Sequence, residues 1–241
     1  MRVPLWVSEA AAAFWEAAGG PEPFPRTLRP AIVRSPLVLT VKELPKLSVR
    51  AAERYLSALA IAWRGGPDRP LRACLAAFAG AGLILLDADD PPAERVFSLA
   101  HELAHFLRHY WEPRRRACQR LGDGVASVLD GKRPPTLAER IHALLGSVSL
   151  GLQIHLMERG PQWEFLRAEA AAAEEEADRL AYELLAPAAA VAARTGAAGR
   201  ARVVEVLQTV FGLTAERAEE YGRLLLPPAL EDPLLRLVRS R

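Results

Sequence analysis

His101, Glu102 and His105 place two imidazoles and a carboxylate within five residues, in the helix-like stretch LAHELAHFLRH (99–109). At about 100° per residue the histidines lie roughly 40° apart, one turn above the other, so both can reach one ion. The apolar side of the same helix (Val96, Leu99, Ala100, Leu103, Leu107) centres more than about 140° away. The histidine pair is therefore expected to point off the core, toward a cleft or solvent. Glu102 flanks that face, where a carboxylate can take a proton from a metal-activated water. This is the chemistry of H-E-x-x-H on a helix: a zinc site with its own general base.

A catalytic zinc keeps three protein ligands and one open position. A third histidine six residues past the second is missing, because that position is Trp111. His109 lies about 80° from His101 on an ideal helix and makes a poor third ligand; it is expected to pack or hydrogen-bond near the site. The stretch EEEADRLAYELLAP (174–187) supplies better candidates. Its apolar face holds Ala177, Leu180, Ala181, Leu184 and Leu185, and Glu174 projects between Ala181 and Leu185 with Asp178 about 40° away. Glu175 aligns with Arg179 and Glu176 with Glu183, so both are expected in solvent. Carboxylates aimed at a buried face need a counter-charge. A divalent cation held by Glu174 supplies one, and Asp178 is placed to accept the second ring N–H of a ligating histidine. The rival reading of this stretch is a surface helix whose acids face water or pair with arginines.

These helices need a scaffold. An amphipathic helix is expected in residues 1–20, where Ser8, Glu9 and Glu16 interrupt the apolar run that a signal peptide requires. Residues 31–47 read as irregular. Ser48 is placed to cap a helix running through VRAAERYLSALAIAW, 49–63. Two apolar runs flank a glycine-containing turn at 79–82 and predict a hairpin. Asp90 before Pro91 and Pro92 predicts the start of the motif helix. The stretch 111–124 reads as polar and turn-rich. A capping-box pattern at 136–139 predicts a helix to about Met157, and another helix is expected over about 163–186. Two helices joined at 211–214 close the reading. The class is α+β and mostly helical, divided as an N-terminal helical region (1–70), a core (71–190) with a helical insertion at about 111–165, and a C-terminal helical hairpin (191–241).

With 241 residues, half of them hydrophobic, the chain is long enough for a buried core. A net charge of +2 argues for no particular partner, and two cysteines offer neither a disulfide framework nor a cysteine zinc site. No uncharged stretch reaches the roughly 18 residues of a membrane span. A cytoplasmic, non-membrane protein is expected.

With these motifs in view, the chain resembles the ImmA/IrrE family of zinc metallopeptidases. The likeness is carried by ERVFSLAHELAHFLRH (94–109), EEEADRLAYELLAP (174–187) and the strand pair ahead of the first. It departs from the family pattern at Ala104 (commonly Gly), Asp178 (Asn) and Ala186 (Met), and in the 68 residues separating His105 from Glu174. The resemblance implies a minimal gluzincin-like core with a short β-sheet beside the motif helix. It implies one Zn2+ per chain on His101, His105 and Glu174, Glu102 as general base, and a protein substrate, typically a helix-turn-helix repressor cleaved in stress responses. The residue that steadies the oxyanion stays open among His109, Tyr110, Tyr182 and Arg108. The alternative function is a DNA-binding or protein-binding regulator with an idle or structural metal site, the first suggested by the helix-turn-helix spacing of 203–225. Glu216, Glu219 and Glu220 on its second helix would repel phosphates, so direct nucleic-acid binding is disfavoured.

Overall fold

A computed structural model describes residues 3–136, 153–158 and 168–226, and of 153–158 and 168–170 the backbone only. Helix α1 (Leu5–Ala17) and the short α2 (Leu28–Arg34) lead into strand β1 (Val38–Leu44), followed by α3 (Val49–Ala58). The Ser48 side chain accepts the Ala51 amide at 3.3 Å, as its N-cap role predicts. Strands β2 (Leu71–Phe78) and β3 (Ala81–Asp87) form the expected hairpin. Both residues of its two-residue loop, Ala79 and Gly80, have positive φ, the geometry that matches the twist of a tight hairpin.

The sheet order is β1-β3-β2-β4, with β1 parallel to β3 and the other pairs antiparallel. β4 is Gln153–Glu158. Both hairpin strands are thus interior, covered on both faces, which is why they read as nearly continuous apolar runs. Two expectations fail here. Residues 31–47, expected irregular, hold α2 and β1; β1 alternates exposed and half-buried positions as an edge strand does, and polar Thr40 and Lys42 hide it from a search for apolar runs. The helix expected to reach Met157 is overturned at its end, where 153–158 add a strand to β2. Its remainder, 137–152, lies outside the described residues, as do 163–167 of the next expected helix.

Helix α4 (Pro92–His105) runs without a break in helical backbone into a π-helical turn (Phe106–Trp111) and α5 (Glu112–Leu121). Pro91 stands at its N-cap position rather than Asp90, whose amide instead donates to the Asp87 carbonyl across the turn. The stretch expected to be turn-rich is largely α5, where Glu112 pairs with Arg115 and Arg116 one turn on. A 3₁₀ turn (Asp123–Val125) and α6 (Ala126–Leu129) follow. The chain then contributes α7 (Ala168–Leu185), α8 (Ala188–Thr195) and the C-terminal hairpin α9 (Arg200–Thr209) and α10 (Ala215–Leu225).

One large cluster of buried residues joins α1, α2, one sheet face, α4 and α7 to α10, while a smaller one joins α3 to the opposite face. Among helix pairs, α4 and α7 have the most extensive contact. Three ties hold the C-terminal end of α7. Its Leu184 carbonyl accepts from Arg26 Nη1 (2.8 Å) and Trp15 Nε1 (3.3 Å), and Arg26 lies between the Trp15 and Phe24 rings. Glu183 accepts from the Ala188 amide at 3.0 Å and from the Tyr221 hydroxyl at 3.3 Å. Tyr182 stacks on Tyr221 and donates to Glu220. Gly82 allows a close approach on the sheet, since a Cβ there would stand 2.5 Å from the Leu39 side chain and 2.7 Å from Phe106.

Candidate metal centre

His101 and His105 stack along α4 as the i, i+4 spacing requires, their ring centroids 4.6 Å apart. They do not reach solvent. Helix α7 lies over them, leaving 2 % of His101 and 1 % of His105 exposed. The expectation that the pair faces a cleft or solvent fails for a simple reason: helical periodicity shows which side is less apolar, not which element covers it.

The α7 face that covers them presents Glu174 and Asp178. Glu174 Oε2 lies 3.1 Å from His101 Nε2, and Glu174 Oε1 lies 3.4 Å from His105 Nε2. The two Nε2 atoms are 3.0 Å apart. Ligand atoms about 2.0–2.1 Å from a tetrahedral zinc stand about 3.3–3.4 Å from one another. The two nitrogens and the carboxylate thus already stand close to the spacing that one such ion imposes, each nitrogen facing a different carboxylate oxygen, and the three residues form a group that could hold a metal. Glu174 keeps 18 % of its side chain exposed, so the opening to solvent is on the carboxylate side.

Asp178 Oδ1 lies 2.8 Å from His101 Nδ1. The carboxylate accepts that N–H, so once Nε2 gives up its own proton its lone pair faces the position between Glu174 and His105. Burial alone would pull the His101 pKa down, yet the hydrogen bonds to Asp178 and Glu174 overcome it and raise the value to about 10. Burial would push Glu174 up, but the two histidines hold it well below the usual carboxylate range. The pocket therefore draws positive charge, either a proton or a cation.

Glu102 is fully buried, and among the described residues neither of its carboxylate oxygens has a hydrogen-bond partner. Burial pushes its pKa up to about 8, against the pull of His101. A carboxylate in such a position needs a nearby cation or a water to justify its retention. Two imidazoles and one carboxylate are the donors of catalytic zinc sites, and an orphaned carboxylate beside them suits the base such a site employs. The residues fit the ion.

Around this centre several side chains settle elsewhere. Tyr110 accepts the Gly80 amide at 2.6 Å, Tyr182 is committed to Glu220, and Arg108 binds Glu176 through Nε (2.7 Å) and Nη2 (3.2 Å). Glu175 is exposed and pairs with Arg179, as expected. Glu176, expected in solvent, is instead half-buried, held by Arg108 and 3.4 Å from His109 Nε2. Its partners lie on another helix, and spacing within α7 could not reveal them. His109 Nδ1 sits 3.1 Å from His105 Nδ1. The segment 203–225 does fold as two helices, with Ala218, Tyr221 and Leu225 of the second turned into the core, and Thr214 bonded to Glu94 of α4. His155 lies on β4, and His142 lies outside the described residues.

Residues 67–122 match the family model Peptidase_M78, the IrrE N-terminal-like domain. That segment carries the hairpin and the motif helix, and the match agrees with the ImmA/IrrE resemblance. It ends before α7, so Glu174 and Asp178 enter the site on geometry alone. No curated protein matches the chain. Among the described residues no helix is long and apolar enough to cross a membrane.

Proposed function

We propose that this chain is a zinc-dependent endopeptidase that binds one Zn2+ through His101, His105 and Glu174 and cleaves an intracellular protein. One observation carries the reading: the two Nε2 atoms stand 3.0 Å apart, each 3.1–3.4 Å from an oxygen of the Glu174 carboxylate, beside a buried glutamate whose oxygens have no hydrogen-bond partner among the described residues. When bound, the ion supplies a Lewis acid for the scissile carbonyl and lowers the pKa of a water to about 7. Glu102 takes the proton from the attacking water and passes it to the leaving amine. Asp178 holds the His101 ring in the tautomer that presents Nε2. The substrate class, a helix-turn-helix repressor cut in the cytoplasm, rests on the ImmA/IrrE resemblance.

The test is the metal content of the purified chain beside that of Glu174→Ala, followed by incubation of the zinc-loaded protein with candidate repressors. About one zinc per parent chain and a marked loss in the variant are expected, because one of three protein ligands is gone. A parent that takes up no zinc when it is supplied removes the peptidase reading. A parent that binds zinc but leaves every repressor intact removes the substrate class and keeps the centre.

A further inference from the structure

The two histidines of the centre are oriented by different means. His101 hands its Nδ1–H to a carboxylate, Asp178. His105 has another imidazole in that place, His109, at 3.1 Å between Nδ1 atoms. Two imidazole nitrogens can share one hydrogen bond only if one carries the proton and the other a lone pair. If His105 offers its Nε2 lone pair toward Glu174 and His101, its own proton is on Nδ1, so His109 Nδ1 has to be the acceptor. The proton of neutral His109 then sits on Nε2, the nitrogen that lies 3.4 Å from Glu176 Oε2. Arg108 fixes that carboxylate through two contacts. Every donor in the chain Arg108, Glu176, His109, His105 meets an acceptor, and the series ends with a lone pair on the metal position.

The backbone supports this alignment. On an uninterrupted α-helix His109 would continue round the helix, away from His101. The π-helical turn Phe106–Trp111 begins directly after His105. A π turn takes more residues per revolution, so His109 is set back toward the face of the site. Its ring lies 5.1 Å from that of His105, tilted by 44°. The same turn places Arg108 over the Trp6 ring at 4.3 Å while its guanidinium holds Glu176.

We infer that His109, held by Glu176 and Arg108 across the π turn, is a positioning residue that sets the tautomer of His105 and so completes the metal centre. This rests on the zinc reading above. The experiment compares zinc affinity of the full-length parent, His109→Phe, His109→Gln and Glu176→Leu by competition with a chelator. It is joined by ¹⁵N–¹H spectra of histidine-labelled, zinc-loaded protein. His109→Phe keeps the ring volume and loses the acceptor, and a loss of about 10- to 100-fold in affinity is expected. The Nδ1–H signal of His105 moves with it. His109→Gln retains an acceptor and a donor and stays close to the parent. Glu176→Leu weakens affinity in the same direction from the other helix, so a folding failure of one variant leaves the other to decide. A phenylalanine variant that binds zinc like the parent overturns the inference and leaves the zinc site standing. So does a glutamine variant that fares no better than phenylalanine, because the ring then only packs. A parent that does not bind zinc fails at the earlier step, which is visible before any variant is compared.

Discussion

On the α3 side of the sheet, Cys74, Ala76, Leu83 and Leu85 meet Leu47, Val49, Ala52 and Leu56, and the buried carboxylate of that strand face, Asp87, stands at the very end of β3. On the other side the same two strands present Ala73, Leu75, Ala77, Ile84 and Leu86 to a core that also buries His101, Glu102, His105 and Glu183. Strand alternation feeds both faces with similar residues, so the sheet does not set the difference. The covering helices do. The residues that helix α3 itself buries, Val49, Ala52 and Leu56, are all apolar, and their burial is stabilising. Helices α4 and α7 bring titratable groups in matched sets: Asp178 for His101, Glu176 for His109, Tyr221 and the Ala188 amide for Glu183. Within the centre, Glu102 breaks the pattern: among the described residues its carboxylate has no hydrogen-bond partner, as the proposed role of base would require.

The largest expected effect separates those two roles. Glu102→Gln is predicted to lower peptidase turnover by about 10²- to 10⁴-fold while zinc content stays at the parent level, since the base is lost and no ligand is touched. The metal-free variant is also predicted to melt at a higher temperature than the metal-free parent near neutral pH. Glu102 has a folded pKa of about 8, above its ordinary 4.5, so its burial is tolerated at low pH and opposes folding increasingly as pH rises toward 8. Scanning calorimetry with a chelator present checks this. A variant melting below the parent would mean that the carboxylate has a stabilising partner.

A matched pair of overpacking substitutions sharpens the comparison. Ala76 on the α3 face and Ala181 on α7 are both buried among apolar neighbours. Ala181 lies on the helical face that carries Glu174 and Asp178. Enlarging either to leucine is expected to destabilise the fold by about 1–3 kcal/mol. Only Ala181→Leu is expected to weaken zinc binding, because it pushes α7 off α4 and separates donors that now stand 3.0–3.4 Å apart. Thermal midpoints and chelator competition on both variants provide the check. Equal zinc affinities would show that the α4–α7 spacing adjusts freely and does not set the centre.

What could be read from the chain divides along the same line. His101, Glu102, His105, Glu174 and Asp178 were legible because a helix fixes directions over a few residues, and each group needed only its own helix to be placed. The hairpin and the C-terminal pair of helices were legible from local turn signals. The burial of the histidines was not, since it depends on α7, and neither was the Arg108–Glu176 pair that joins two helices. Strand β1 escaped because its pattern is interrupted by polar residues and its partner is β3, beyond α3 and β2 in the chain. β4 escaped because its pairing with β2 is equally distant. The π turn Phe106–Trp111 has no local signature in the sequence.

The smallest effect is a pH slope, and it tests whether the functional side differs from the α3 side in charge as well as composition. His101 has a folded pKa of about 10 against an ordinary 6.5. Its proton thus stabilises the metal-free chain in full below about pH 6.5, and that contribution is lost as pH rises through about 10. Zinc has to displace the same proton to reach Nε2, so affinity is expected to strengthen by about tenfold per pH unit for each proton released. Chelator competition at several pH values around neutrality measures the slope. Asp178→Asn keeps an acceptor for the ring but removes the charge that favours the proton, and it is expected to flatten the profile while weakening binding at high pH. A parent profile that is already flat would mean that His101 carries no proton in the metal-free chain. Asp178 would then orient the ring through hydrogen-bond geometry alone, and the two sides of the sheet would differ in shape rather than in charge.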